Sequence, residues 1–207
     1  TRDRRLLVAF GASGFVALGL EVLWFRVLAL IVGSSIYAFT LMLATFLTGI
    51  GLGSLVFRYA LRRVGAVSHT RMRLVFAWLE VAIGASVLCG VFTYRSMPLW
   101  FRSLFERFGS DFWLFLSVQG LLCAAVMLLP TMCFGATFPA AAAAYARDPA
   151  HAGARVASLY AANTVGAIAG SVFAGFFLAP VAGAQGGIIL LAIVALVIAV
   201  VLALSAQ

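Results

Sequence analysis

Lysine does not occur in this sequence, and acidic residues are scarce, six against fourteen arginines, so the formal net charge of +8 is carried by arginine alone. A balance this basic can signal nucleic acid. Here, however, the arginines sit mostly in short segments between apolar runs, where they act as topology determinants under the positive-inside rule. Nucleic acid is therefore not expected as a partner. Six carboxylates in all, with no pair in a polar pocket and no Ser/His/Asp set of credible geometry, speak against a catalytic constellation in this chain. Cysteine is equally sparse. Cys89, Cys123 and Cys133 are odd in number, fall within apolar runs and lack metal-ligand spacing. This excludes a disulfide framework and a zinc site and leaves them as small buried hydrophobes. His69 and His151 lie in connections without a second ligand at useful spacing, so they are expected to be solvated. Neither metal nor cofactor is expected.

What the chain has instead is apolar residues: 65% are hydrophobic, 10% are charged, and the mean hydropathy is +1.15. A soluble domain carries about 25% charged residues, and its core helices do not repeat apolar runs of roughly 20, the length a bilayer demands. The reading is a single all-α integral membrane domain over 1–207, with no soluble domain and the lipid bilayer as its solvent. Six transmembrane helices are expected at about 6–32, 36–57, 74–94, 112–136, 156–178 and 188–204. The first two are separated by the turn Gly33-Ser34-Ser35. Arg2, Arg4 and Arg5 imitate the start of a signal peptide, but the apolar stretch behind them is too long, so it reads as an uncleaved first helix.

Between the third and fourth runs, segment 95–111 interleaves Arg95, Arg102, Glu106, Arg107 and Asp111 with aromatic and leucine side chains, as befits a helix lying in the headgroup region. The fourth run continues through Pro130, Gly135 and Pro139 into alanines, and a bend or break is expected at its prolines. Ten arginines, among them Arg147, fall at the N-terminus and in the second and fourth connections. Arg95, Arg102 and Arg107 fall on the other side. Positive-inside then places both termini in the cytoplasm.

Gly49-Ile-Gly-Leu-Gly53-Ser54 and Gly166-Ala-Ile-Ala-Gly170-Ser171 share a G-x-x-x-G-S pattern on helices that cross in opposite senses. A 3+3 inverted repeat, as within half of a major facilitator transporter, produces that relation. The glycines resemble a dinucleotide fingerprint, but that motif works only between a strand and a helix. Close packing of helices at Gly49, Gly53, Gly166 and Gly170 is the better reading.

Ionised residues inside a span cost several kcal/mol unless paired or facing a polar cavity, which makes Glu21 and Arg26 the most informative positions. Five residues apart, they point about 140° away from each other, so a second helix is expected to intervene. They form either a structural arrangement or a functional site. Glu80, Gln119, Tyr160, Asn163 and Thr164 are expected to line one polar cavity, or else to serve hydrogen bonding between helices.

Four stretches in order, Ser13-Gly-Phe-Val-Ala-Leu-Gly-Leu-Glu21-Val-Leu-Trp24-Phe-Arg26, Gly33-Ser34-Ser35-Ile-Tyr37, Gly135-Ala-Thr-Phe-Pro139 and Leu159-Tyr160-Ala-Ala-Asn163-Thr164-Val-Gly166, resemble the membrane domain of bacterial fused spermidine-synthase-like proteins. The resemblance spans about residues 10 to 187. It implies the bacterial inner membrane and an aminopropyltransferase-like cytoplasmic domain or subunit as partner, which would move an aminopropyl group from decarboxylated S-adenosylmethionine to putrescine. It also implies that Glu21, Trp24, Arg26, Tyr160 and Asn163 belong to a shared membrane site. The nucleotide loop and polyamine-binding acids of that soluble domain have no counterpart in these 207 residues. On this reading the chain anchors or serves such a partner and handles a small cationic substrate, with Glu21 and Glu80 supplying negative charge. The alternatives are a half-size secondary transporter acting as a homo-oligomer, and a structural subunit of a larger membrane complex.

Overall fold

The computed structural model describes residues 2–32, 35–65, 67–94, 96–145 and 151–206. Gly33, Ser34, Arg95, Arg147, Asp148 and Pro149 lie outside the described residues. The elements are α1 (Arg2–Val32), α2 (Ile36–Val64), α3 (His69–Tyr94), α4 (Met97–Phe108), α5 (Phe112–Tyr145), α6 (Ala152–Phe173), a π-helical segment (Ala174–Leu178) and α7 (Ala179–Ala206). Among the described residues, five stretches are long and apolar enough to cross a membrane. The last of them, 54 residues, carries α6, the π segment and α7. It turns at Gly183, whose φ of 70° and ψ of 163° are not helical, a conformation that favours glycine.

Local chemistry explains where the helices start and stop. Ser35 caps α2, its Oγ accepting from the Ala38 amide at 3.1 Å, and Asp111 caps α5 by accepting from Leu114 at 3.0 Å. Gly65, at φ 80°, ends α2 with its N–H on the Leu61 carbonyl. Several helices run beyond their apolar runs. α2 continues to Val64, α3 begins at His69, α5 extends to Tyr145 and α6 begins at Ala152, because the backbone goes on bonding to itself where the arginines meet water. The expected break in the fourth run is not found. Pro130 and Pro139 sit inside one continuous α5, and the nearby Thr131 and Thr137 hydroxyls donate to the Met127 and Phe134 carbonyls at 2.7 Å. The interfacial segment is an amphipathic helix, α4. Its Phe101 and Phe105 meet Phe115 of α5 at 5.5 and 5.3 Å, and Arg102 and Glu106 pair at 2.9 Å on its exposed face.

Packing inverts the soluble pattern. Leu47, Leu55, Trp78, Phe92, Leu121, Phe176 and Val181 are exposed on the outer faces, whereas the interior holds Phe10, Trp24, Phe76, Ile83 and Met127 together with glycine crossings. A Cβ on Gly166 would overlap the Gly11 carbonyl, and one on Gly170 the Phe15 carbonyl. Likewise Gly53 abuts the Met132 carbonyl and Gly135 the Ile50 carbonyl. Such approaches are what small residues permit between membrane helices.

These crossings join α1 to α6 and α2 to α5, each pair parallel. The other main contacts are α3 with α7, α3 with α5 and α1 with α7, while α1 touches α2 and α5 more sparsely. Exchanging α1, α2, α3 with α5, α6, α7 leaves this pattern unchanged. α1 against α6 becomes α5 against α2, α3 against α5 becomes α7 against α1, and α3 against α7 maps onto itself.

One end is rich in arginine. There Asp3 of α1 pairs with Arg73 of α3 at 3.2 Å and Arg155 of α6 at 3.1 Å. Arg155 also donates to the Tyr145 carbonyl ending α5. His69, expected to be merely solvated, bonds through Nδ1 to the Ala143 carbonyl at 2.9 Å.

Candidate functional site

Two cavities lie in line along the seam between the α1–α6 pair and the α2–α5 pair. Ser13, Ala17, Glu21 and Phe25 recur every four residues on one ridge of α1, the spacing that stacks side chains on one helix face. The first two line one cavity and the last two line the other.

The cavity farther from the arginine-rich end has a volume of about 280 Å³ and is lined by Glu21, Val22 and Phe25 of α1, Phe39, Met42 and Leu43 of α2, and Met127 of α5. Glu21 is the only ionisable side chain in that lining. Phe25 and Phe39 meet edge to face at 5.2 Å. A carboxylate beside two aromatic rings and two methionines, in otherwise apolar walls, suits an organic cation, which gains from both the charge and the ring faces.

The second cavity, about 250 Å³, lies toward the arginine-rich end and collects Ser13, Thr137, Tyr160 and Asn163 among apolar side chains of α1, α2 and α5. Tyr160 is exposed on α6 and, with Asn163, Thr164 and Ser171, also borders a shallower groove on the outer face. Glu80 does not open onto either cavity. It is fully buried in α3. Ser13 approaches it from α1, yet among the described residues neither carboxylate oxygen gains a partner in hydrogen-bond geometry.

The single cavity expected from sequence is thus divided. Tyr160, Asn163 and Thr164 come together on α6. Glu80 stands behind Ser13, and Gln119 is buried at the far end of α5, about 27 Å along the helix from Thr137. Arg26 does not meet Glu21. It reaches from α1 to the carbonyl of Gly175 in the π segment at 3.4 Å, where the π geometry has disturbed the helical hydrogen-bond ladder. Trp24 is a packing residue. Completely buried, it donates from Nε1 to the Tyr94 hydroxyl at 2.7 Å. Gly49, Gly53, Gly166 and Gly170 occupy helix crossings. Phe25, Phe39 and Met42 were not singled out from sequence. Aromatic and methionine residues are too common in membrane spans to stand out until the fold sets them around a carboxylate.

Tyr94→Phe removes the acceptor of a buried indole N–H. It should cost about 1–3 kcal/mol of stability and leave ligand binding unchanged, which thermal unfolding in detergent alongside a binding isotherm checks. Among the described residues no group of three or more His, Cys, Asp or Glu side chains is arranged to hold a metal ion. No known family, curated protein or solved structure matches this chain.

Proposed function

We propose that this chain is a transporter-like membrane module of six crossings, built as two inverted three-helix units, which binds a small organic cation at Glu21. The observation that carries the reading is the Glu21 cavity itself: an intramembrane carboxylate faced by Phe25, Phe39 and Met42 on the seam between two helix pairs. Ionisable residues at such depth are by default functional candidates, and in transporters built from inverted repeats the substrate site lies near the midplane where the repeats meet. The exchange symmetry of the helix contacts supports the repeat. So does the matching placement of Gly49 and Gly53 of α2 against α5 and of Gly166 and Gly170 of α6 against α1. The Ser13, Thr137 and Asn163 cavity, next along the same ridge, is the second station on the path.

In this reading the arginine-rich end faces the cytoplasm, as positive-inside requires, in the inner membrane of a bacterium. The motif resemblance to spermidine-synthase-like proteins supports a polyamine as the cation and an aminopropyltransferase-like cytoplasmic domain or subunit as the user of it. Glu21→Gln keeps the shape of the side chain and removes its charge. It should weaken putrescine or spermidine binding at least tenfold, measured by isothermal titration in detergent, with the unfolding temperature unchanged. Equal affinity of the variant would sink the cation site.

A homodimer is the second reading, favoured by one observation: Tyr160, Thr164 and the groove beside them open on the outer face of α6 rather than at an aqueous end. A second copy set against α6 would close that side. Native mass spectrometry of gently extracted protein separates the two, showing either a dimer or a bound soluble partner.

A further inference from the structure

A further cavity lies off the seam. It is a groove of about 530 Å³ on the lipid-facing side, between the N-terminal half of α1 and the C-terminal half of α7. Its floor is Ala9 and Ala12, its walls include Val8, Val197 and Val201, and Arg4 and Arg5 stand at its arginine-rich end. Small residues on α1 leave the space open. Both arginines are exposed. The one acid beside them, Asp3, is turned to Arg73 and Arg155, and α7 contributes no acidic residue. The charge at the mouth is therefore uncompensated by the groove's own helices.

We infer that this groove binds an anionic phospholipid, with one acyl chain along the α1–α7 cleft and the phosphate between Arg4 and Arg5. Three features coincide. The walls are apolar at the depth where acyl chains lie. The cationic pair sits where the membrane meets water, the level of headgroups. The guanidinium forks match phosphate oxygens in bidentate geometry. Basic pockets between transmembrane helices recognise anionic headgroups by this combination. Arg62 and Arg63 of α2, at the same end, do not line this groove. The inference does not depend on what Glu21 binds.

The test uses the whole protein in nanodiscs of phosphatidylcholine with one-fifth phosphatidylglycerol, followed by native mass spectrometry of retained lipid. The wild type should retain phosphatidylglycerol at least tenfold over its share in the disc. Arg4→Gln with Arg5→Gln should abolish the enrichment, and Val197→Trp, which fills the groove from an exposed position and keeps both arginines, should reduce it at least fivefold. Arg62→Gln with Arg63→Gln should not change it. No enrichment in the wild type, or equal losses in the two double-arginine variants, would overturn the site. Displacement of the lipid by millimolar inorganic phosphate would show that the arginines bind a free anion without the groove, and would overturn it too.

Discussion

Gly166→Leu is expected to leave no folded monomer in mild detergent, while Gly51→Leu behaves as wild type. The contrast follows from what each position faces. A Cβ on Gly166 runs into the Gly11 carbonyl, and the Gly11 backbone cannot rotate aside as a side chain can. A Cβ on Gly51, on the outer face of α2, meets nothing within 4 Å. Overpacking against movable side chains costs about 1–3 kcal/mol. Against backbone the whole α1–α6 contact must open, so a loss above about 3 kcal/mol is expected from the same mechanism. Size-exclusion chromatography after a temperature ramp reads both variants directly. A Gly166→Leu protein as stable as the wild type would mean that α1 and α6 do not cross there.

Asp3→Asn is expected to lower stability by about 2 kcal/mol or more. Arg73 is 3% exposed and Asp3 is 36% exposed. Removing the carboxylate charge takes the ion pair from a buried guanidinium, and breaking a buried pair costs about 3–5 kcal/mol. The partial exposure of Asp3 reduces the figure. The same residue also holds Arg155, so its loss loosens α1, α3 and α6 together at one end. Glu106→Gln is the comparison. Its pair with Arg102 lies on an exposed helix face, with side chains 80% and 62% accessible, and its removal should change stability by less than about 0.5 kcal/mol. Denaturation of both variants, monitored by tryptophan fluorescence, decides the point. Equal effects would mean that the Asp3 cluster is solvated and carries little.

Hydropathy makes the membrane class and the centres of the apolar runs readable from sequence, because a bilayer leaves a long, nearly uncharged stretch little choice but helix. Helix ends are less readable. The run of arginines from Arg58 to Arg63 marks the membrane surface, but the helix does not stop there. The prolines of α5 read as breaks in the string, whereas in the fold both lie inside one continuous helix. The π segment at Ala174–Leu178 has no sequence signal of its own, so the Gly175 carbonyl that Arg26 reaches is not legible in the sequence. Glu21 could be picked out by its cost. Its cavity could not, since the walls come from three helices whose contacts are tertiary, and for the same reason Glu80 and Gln119 seemed to share a site that the fold divides.

The glycine crossings also bear on how sequences of this architecture can drift. Gly49 faces the Thr131 side chain, Gly84 that of Leu196, and Gly187 that of Leu23, so a larger residue at any of these can be tolerated once its neighbour is trimmed, and such positions can change in pairs over time. Gly53, Gly135, Gly166 and Gly170 face carbonyl groups of the neighbouring helix. No substitution shortens a carbonyl, so descent can alter these four only by re-docking whole helices, and they should be the last letters to differ between lineages that keep this fold.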